Sequence, residues 1–193
     1  MTNAIVKTAI LKTDVPAASR LHAALHGSHF ADCYRMRLDG DPRTALELYL
    51  QSVARAPRWV EWLMAVRNGV VARLGLKDLG ALGAIDAARP AASYRAGDRV
   101  GIFTLLHVAD DEVILGDSDR HLDVQVSVCK LAGAEAGDVA ISTVVHVRRT
   151  LGHVYMLFVA PVHRRIVPAV MGRLTRGGQH ADNQAGTVAR RQD

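Results

Sequence analysis

The sequence contains little cysteine, which excludes several small-protein architectures. Its only two cysteines, Cys33 and Cys129, lie far apart and form no C-x-x-C pair. A disulfide-stabilised scaffold or a zinc ribbon needs more cysteines at closer spacing. Both residues fall in segments that we predict to be strands. We therefore expect buried free thiols, with a disulfide only if the two strands are neighbours.

Long apolar runs and specialised catalytic motifs are also missing. No segment approaches about 18 uninterrupted apolar residues, and the first residues include no continuous apolar stretch of the secretory type. We therefore expect a soluble, cytoplasmic protein without membrane insertion. There is no glycine-rich phosphate loop, nucleophile elbow, cysteine–histidine protease signature or zinc-ligand pattern. We accordingly predict neither a metal nor a cofactor.

Positive charge is concentrated near one end of the chain. The net charge is +5, but six arginines follow Pro161 and only Asp182 and Asp193 oppose them, so the remainder is nearly neutral. Nucleic-acid binding usually needs a basic stripe on a folded face, with aromatic residues or a known motif. Because neither is present, we predict no nucleic-acid partner.

The apolar pattern changes its period along the chain and predicts the order of elements. Alternation over Phe30–Leu38 predicts a strand, and helical spacing predicts one helix from Thr44 to Pro57 and another from Trp59 to Leu74. Pro161 predicts the start of a final helix. Five further segments predict an antiparallel meander: Arg99–Val108, Glu112–Leu115, His121–Lys130, Val139–Thr150 and His153–Ala160.

These elements predict an α+β fold. An antiparallel sheet needs one face covered, and the final helix is the only long element left to lie in its concavity. We predict one domain over residues 30–176, an N-terminal extension over 1–29 and a disordered polar tail over 177–193. The space between a curved sheet and its helix is often a ligand cavity.

The segment Gly116–Asp123 contains three carboxylates, an arginine and a histidine within eight residues. A functional interpretation makes His121 a general base oriented by Asp123, or makes Asp119, His121 and Asp123 the ligands of a divalent metal. A structural interpretation, which we favour, places the alternating row from His121 to Ser127 on the solvent face of the sheet. In that interpretation Asp119 shapes the turn.

Several short motifs lie within residues 30–175. They are Pro57-Arg58-Trp59-Val60, Met64-Ala65-Val66-Arg67-Asn68, Gly75-Leu76-Lys77, Glu112-Val113-Ile114-Leu115-Gly116, Asp119-Arg120-His121-Leu122-Asp123, Ser142-Thr143-Val144-Val145, Gly152-His153-Val154-Tyr155-Met156 and Pro161-Val162-His163-Arg164. In these motifs the chain resembles an uncharacterised bacterial family, domain of unknown function 2867 (DUF2867). Its element order is similar to that of START-like, polyketide-cyclase-like helix-grip (SRPBCC) domains. The resemblance implies a curved antiparallel sheet wrapped round a long C-terminal helix, two helices after the first strand, and a cavity for an apolar or amphipathic small molecule.

Candidate binding residues come from the second helix, the sheet and the final helix. The candidate ligand-binding residues are Trp59, Trp62, Phe103, Tyr155, Met156, Phe158, Val167 and Met171. For the two tryptophans we favour the alternative role of core anchors. His163 and Arg164 form a candidate anion site, since helix N-termini carry free N–H groups. A solvated basic face is the favoured alternative there.

Three functions are compatible with the sequence. The leading hypothesis is a protein that binds a hydrophobic or amphipathic small molecule between its sheet and C-terminal helix. The second is an enzyme of cyclase, isomerase or hydrolase type that uses His121 with Asp123 or Asp119. The third is an accessory module that partners an oxidoreductase, because domains of the resembling family occur fused to NAD-binding domains. A homodimer is an open alternative.

Overall fold

The computed structural model describes residues 9–73, 85–86 and 88–174, without the side chains of residues 70–73. The strands are β1 (Ile10–Thr13), β2 (Phe30–Arg37), β3 (Arg99–Val100), β4 (Phe103–Val108), β5 (Glu112–Ser118), β6 (Leu122–Lys130) and β7 (Asp138–Val147). The helices are α1 (Ala45–Ala54), α2 (Arg58–Arg73) and α3 (Thr150–Met171), with short 3-10 helices at Arg20–Leu25, Ala91–Ser93 and Gly133–Glu135. The predicted tail, 177–193, lies outside the described residues.

All seven strands form one antiparallel sheet in the order β1-β2-β7-β6-β5-β4-β3. With α1 and α2 after β2 and α3 after β7, this confirms the predicted α+β class. β1 pairs with β2 and was not predicted, because it lies in the segment that we expected to be an extension. The sheet therefore begins before Phe30.

The two predicted helices begin and end where local chemistry requires it. Thr44 and Glu47 form a capping box, in which the Thr44 hydroxyl accepts from the Glu47 N–H at 3.3 Å and the Glu47 carboxylate accepts from the Thr44 N–H at 2.7 Å. Pro57 separates α1 from α2 because it has no N–H to continue the first helix. Both helices are confirmed within a few residues.

One face of the sheet, which we call the helix face, is covered by α1 and α3. Its main core cluster joins strand residues such as Met36, Leu115 and Ile141 to α1 residues such as Leu48 and to α3 residues such as Met171. α1 lies over β5 and β6, and α3 lies over β2 and β7. The C-terminal half of α3 therefore anchors this helix in the core.

The opposite face, which we call the back face, is covered by residues 15–25. Leu21 packs against Ile114 and Val144, and Val15 packs with Cys33 and Cys129. Both cysteines are buried and free, as predicted, and strand β7 lies between their strands. The back face is therefore a second, smaller core.

Residues 15–25 cover the back face, which contradicts the favoured interpretation that the polar row from His121 to Ser127 faces solvent. Ser127 was assigned to the solvent face, but it is buried, as is its register partner Ser142 on β7. The prediction was wrong because nothing in the alternating pattern distinguishes water from a covering segment distant in sequence. Within the row, Asp123 and Gln125 are partly exposed, whereas His121 is buried.

The final helix is longer than predicted. Residues His153–Ala160 were expected to form a strand and Pro161 to begin a helix, but α3 is continuous from Thr150 and contains both Pro161 and Pro168. The bond that Pro161 cannot donate would go to the carbonyl of Leu157, whose residue is well exposed to water. The longer helix is also apolar and long enough to cross a membrane, by length and composition only. The sequence analysis divided this helix into a strand and a shorter helix, so its apolar length was not recognised.

Candidate functional site

Asp32 is a buried carboxylate on the helix face, near the middle of β2. Its side chain is 1% exposed, and neither oxygen accepts a hydrogen bond from any residue that the structure describes. A buried polar group without a hydrogen bond is costly, so most such groups in proteins are satisfied. Asp32 is therefore the first residue of a candidate site.

His163 of α3 lies directly over Asp32. Its Nε2 is 3.3 Å from Oδ1 of Asp32 and 3.1 Å from Oγ1 of Thr143 on β7. Asp32 and Thr143 are register partners, so the sheet places the carboxylate and the hydroxyl side by side under one imidazole. Phe30 packs edge-on against the His163 ring and fixes its orientation. The three polar side chains form an acid–base cluster that we call the Asp32 cluster.

Tyr34 connects this cluster to the backbone of α3. Pro168 has no N–H for the carbonyl of Arg164 four residues earlier, and the Tyr34 hydroxyl donates to that carbonyl at 3.2 Å. Burial raises the pKa of Tyr34, and the negative charge of Asp32 raises it further, while Arg164 opposes both. Tyr34 therefore holds the helix above Asp32 and senses the charge of that carboxylate.

An apolar, partly exposed part of the sheet adjoins the Asp32 cluster. Val126 of β6 is the register partner of Thr143, and Leu122 and Val124 precede it on the same face. All three are only partly buried. On α3, Met156 and Val159 share a face with His163 by helical spacing and are also partly buried. The cluster thus lies at one end of an apolar surface between sheet and helix.

Comparison with known families agrees with the extent of this fold. A family model described as a protein of unknown function (DUF2867) matches residues 24–170, which include every strand from β2 to β7 and nearly all of α3. The chain belongs to the DUF2867 family. No curated protein and no solved structure matches it.

In this DUF2867 chain, the predicted anion site has a different setting. His163 and Arg164 were assigned to the first turn of a helix, but α3 begins at Thr150 and both residues lie in its interior. The free N–H groups on which that prediction depended are therefore not at these residues. His163 instead faces a carboxylate, and Arg164 packs over the Phe30 ring.

The acidic segment 116–123 includes the end of β5, a tight turn at residues 119–121 and the start of β6. Asp119 accepts the backbone N–H groups of His121 and Leu122 at 2.7 and 2.9 Å, which is the turn-shaping role of the structural interpretation. His121 is buried, and its Nε2 accepts a hydrogen bond from Arg120. Asp123 pairs with Arg148 at 3.9 Å. The catalytic assignment of His121, Asp123 and Asp119 stays a prediction.

The eight candidate ligand-binding residues of this family member occupy three environments. Val167 and Met171 belong to the main core, and Phe103 packs against it. Tyr155 and Met156 are partly buried, and the Tyr155 hydroxyl accepts from Arg67 of α2 at 3.0 Å. Trp59, Trp62 and Phe158 are exposed. The preferred role of the tryptophans as core anchors is therefore wrong, because 43% of Trp59 and 65% of Trp62 are exposed to water.

Asp32 was missed by the sequence reasoning, although one signal was present. An aspartate shares the inward alternation of Phe30, Tyr34 and Met36, where an apolar residue is expected. Its partner His163 is distant in sequence, so no local spacing joins the two. Among the described residues, the structure brings together no group of three or more side chains able to hold a metal ion.

Proposed function

We propose that this DUF2867 protein binds a small amphipathic molecule between its sheet and α3, with the polar end of the molecule at the Asp32 cluster. The observation that carries the proposal is the Asp32 carboxylate, buried and without a hydrogen-bond donor among the described residues. A ligand hydroxyl or amine supplies the donor that such a group requires.

The apolar part of the ligand has a matching surface. Leu122, Val124 and Val126 continue along the sheet from Thr143, and Met156 and Val159 of α3 lie on the helix face that carries His163. Binding sites for small molecules commonly combine such apolar walls with a few convergent polar groups. The proposed ligand class is therefore an apolar body with one hydrogen-bond donor at its end.

The charge of Asp32 sets the selectivity of the site. Its negative charge already raises the pKa of Tyr34, so a ligand carboxylate placed there meets repulsion. We expect the protein to bind dodecanol or dodecylamine and to reject dodecanoate, which has the same chain length but an anionic head group. Asp32→Asn removes the repulsion and reduces this discrimination.

Native mass spectrometry of the freshly purified full chain tests the proposal. We expect a bound mass with the wild-type protein and with Asp123→Asn, which removes a partly exposed carboxylate elsewhere on β6. Asp32→Asn should lose that mass and should bind added dodecanol at least about tenfold more weakly, since a hydrogen bond to a charged group is lost. Equal binding by the Asp32 and Asp123 variants would show that the ligand does not contact Asp32.

A second candidate function is acid–base catalysis by His163, which Asp32 orients from 3.3 Å. It keeps the cyclase, isomerase or hydrolase class but transfers the His–Asp pair from the turn at 116–123 to the Asp32 cluster. His163→Gln keeps a hydrogen-bonding group near Thr143 but cannot shuttle a proton. A binding protein retains its ligand in this variant unchanged, whereas an enzyme accumulates unreacted substrate.

A further inference from the structure

Two helices carry large apolar side chains on their outer surfaces. On α3, Leu157 and Phe158 are 72% and 70% exposed, and Val154 precedes them on the same helical stripe. On α2, Trp62 is 65% exposed, and Trp59 lies one turn before it. Scattered apolar residues are normal on a surface, but stripes of this size indicate an interaction site.

The two stripes belong to neighbouring helices. Arg67 of α2 donates to the Tyr155 hydroxyl of α3 at 3.0 Å, and its guanidinium lies 5.5 Å from the centre of that ring. Both contact residues are partly buried, whereas the apolar stripes lie on the exposed sides of their helices. We call the exposed residues Trp59, Trp62, Val66, Val154, Leu157 and Phe158 the α2–α3 patch.

Basic side chains flank the patch at several points. Arg58 begins α2, Arg149 precedes α3, and Arg164 and Arg165 end the exposed stripe of α3; all four are exposed. Glu61 is the exposed acidic residue within the described part of α2. An apolar surface with tryptophans and an arginine border matches the chemistry of an anionic lipid surface.

The fold limits how deeply α3 enters a bilayer. The helix is long and apolar enough to cross a membrane by composition, but Val167, Val170 and Met171 at its C-terminal end pack into the core. His163 is also held against Asp32. Crossing would break these contacts and would bury Arg164 and Arg165, so the helix is suited to lie along the surface.

We propose that the α2–α3 patch docks the protein on an anionic lipid surface, with α2 and α3 lying in the interfacial plane. A second copy of the chain suits the patch less well, because a two-fold interface would join two copies of the same patch, each with the same basic border. Anionic head groups instead neutralise them. The proposal does not depend on the ligand at the Asp32 cluster.

Tryptophan fluorescence offers a direct test, because the two tryptophans of the chain, Trp59 and Trp62, both lie in the patch. The full-length protein is mixed with vesicles of equal parts phosphatidylcholine and phosphatidylglycerol, or of phosphatidylcholine alone. We expect a blue shift and co-sedimentation with the anionic vesicles, weakened by added salt. Absence of both with anionic vesicles would overturn the proposal.

Surface substitutions locate the contact without disturbing the core. The paired change Leu157→Ser and Phe158→Ser should lower vesicle binding at least about tenfold, and Arg165→Gln should lower it about fivefold. Leu11→Ser and Arg20→Gln are matched controls, since both residues are exposed and lie away from α2 and α3. Equal losses in the controls would contradict the assigned surface.

Two other outcomes would overturn the proposal in favour of a different occupant. A blue shift that grows with protein concentration without vesicles, with a dimer in analytical ultracentrifugation, would assign the patch to a second copy. A shift that is equal with neutral vesicles and is lost in Asp32→Asn would mean that a single lipid enters the ligand site. If Asp32→Asn loses its ligand yet still binds anionic vesicles, vesicle binding does not depend on the ligand at the Asp32 cluster.

Discussion

Glu112 and Asp32 are both buried carboxylates on one sheet, but they lie on opposite faces and have opposite environments. On the back face, Glu112 accepts hydrogen bonds from the hydroxyls of Ser19 and Ser127 at 2.6 Å each, and from the N–H of Arg20 at 3.0 Å. On the helix face, Asp32 accepts none from any described residue. Both are about equally shielded from water.

The difference separates a structural carboxylate from a candidate functional one. Glu112 ties the covering segment at residues 19–20 to strands β5 and β6, so its hydrogen bonds offset the cost of its burial. Asp32 forms an ion-pair contact with the imidazole of His163 but accepts no hydrogen bond from any residue that the structure describes. Sites used for binding or catalysis commonly retain such unfavourable groups, because removing them raises stability at the expense of activity.

The largest expected effect comes from matched amide substitutions of the two carboxylates. Glu112→Gln should lower the free energy of unfolding by about 2–3 kcal/mol, because a side-chain amide then faces a buried donor. Asp32→Asn should change it by less than about 1 kcal/mol in either direction. Urea unfolding measures both. Equal destabilisation by the two substitutions would show that Asp32 is a structural partner of His163, and Asp32 would then not differ from Glu112 in its role.

A smaller effect is expected when the hydroxyl neighbours are removed. Ser127→Ala deletes a hydrogen bond to the charged Glu112 and should cost about 1.5–2 kcal/mol. Thr143→Val keeps the shape of its side chain and removes only the contact with His163, so it should cost under about 1 kcal/mol. The same unfolding measurement compares them. A larger cost for Thr143→Val would reverse the assignment of the two faces.

Cys129 reports the charge of Glu112. The pKa of the Cys129 thiol is raised to about 12, first by burial and next by the negative charge of Glu112. Above the ordinary thiol pKa of 9.0 the unfolded chain loses this proton while the folded chain keeps it, so stability falls as pH rises from about 9 towards 12. Glu112→Gln should lower the pH at which iodoacetamide alkylates the thiol. An unchanged alkylation profile would contradict a charged Glu112 at this position.

Tyr34 reports the charge of Asp32 with a smaller expected effect. Its pKa is raised by burial first and by Asp32 second. Asp32→Asn should therefore lower the pKa of Tyr34, seen as tyrosinate absorbance that appears at lower pH. Subtracting the titration of Tyr34→Phe isolates this residue from the other tyrosines. No shift after Asp32→Asn would mean that the carboxylate carries no charge near Tyr34.

Local sequence predicted the elements whose signals are short-range. The capping residue Thr44 and the breaker Pro57 bound α1, and alternation placed β6 and β7. The start of α3 was missed because the pattern before Pro161 also suits a strand. A proline is disfavoured inside a helix, but the hydrogen bond that it removes costs less where water can reach the freed carbonyl. At Leu157 that carbonyl belongs to an exposed residue.

The candidate site was predicted in part. His163 was selected from the sequence, but for an anion at a helix terminus, whereas the structure places it against Asp32 and Thr143. The turn at 116–123 drew attention because its charges are adjacent in sequence. Sequence proximity measures local charge density, but chemical reactivity depends on burial and on partners that distant strands supply.

By itself, the sequence determined the α+β class, the two helices after β2, the free thiols and the membership in DUF2867, because periodicity, turn residues and motifs act over a few neighbouring positions. Only the tertiary structure decided which carboxylate is hydrogen-bonded, that both faces of the sheet are covered, and which half of α3 stays exposed. Those properties depend on how residues 15–25 and α3 pack on opposite sides of one sheet. Long-range packing determines burial, and burial determines the energetic consequence of each charge.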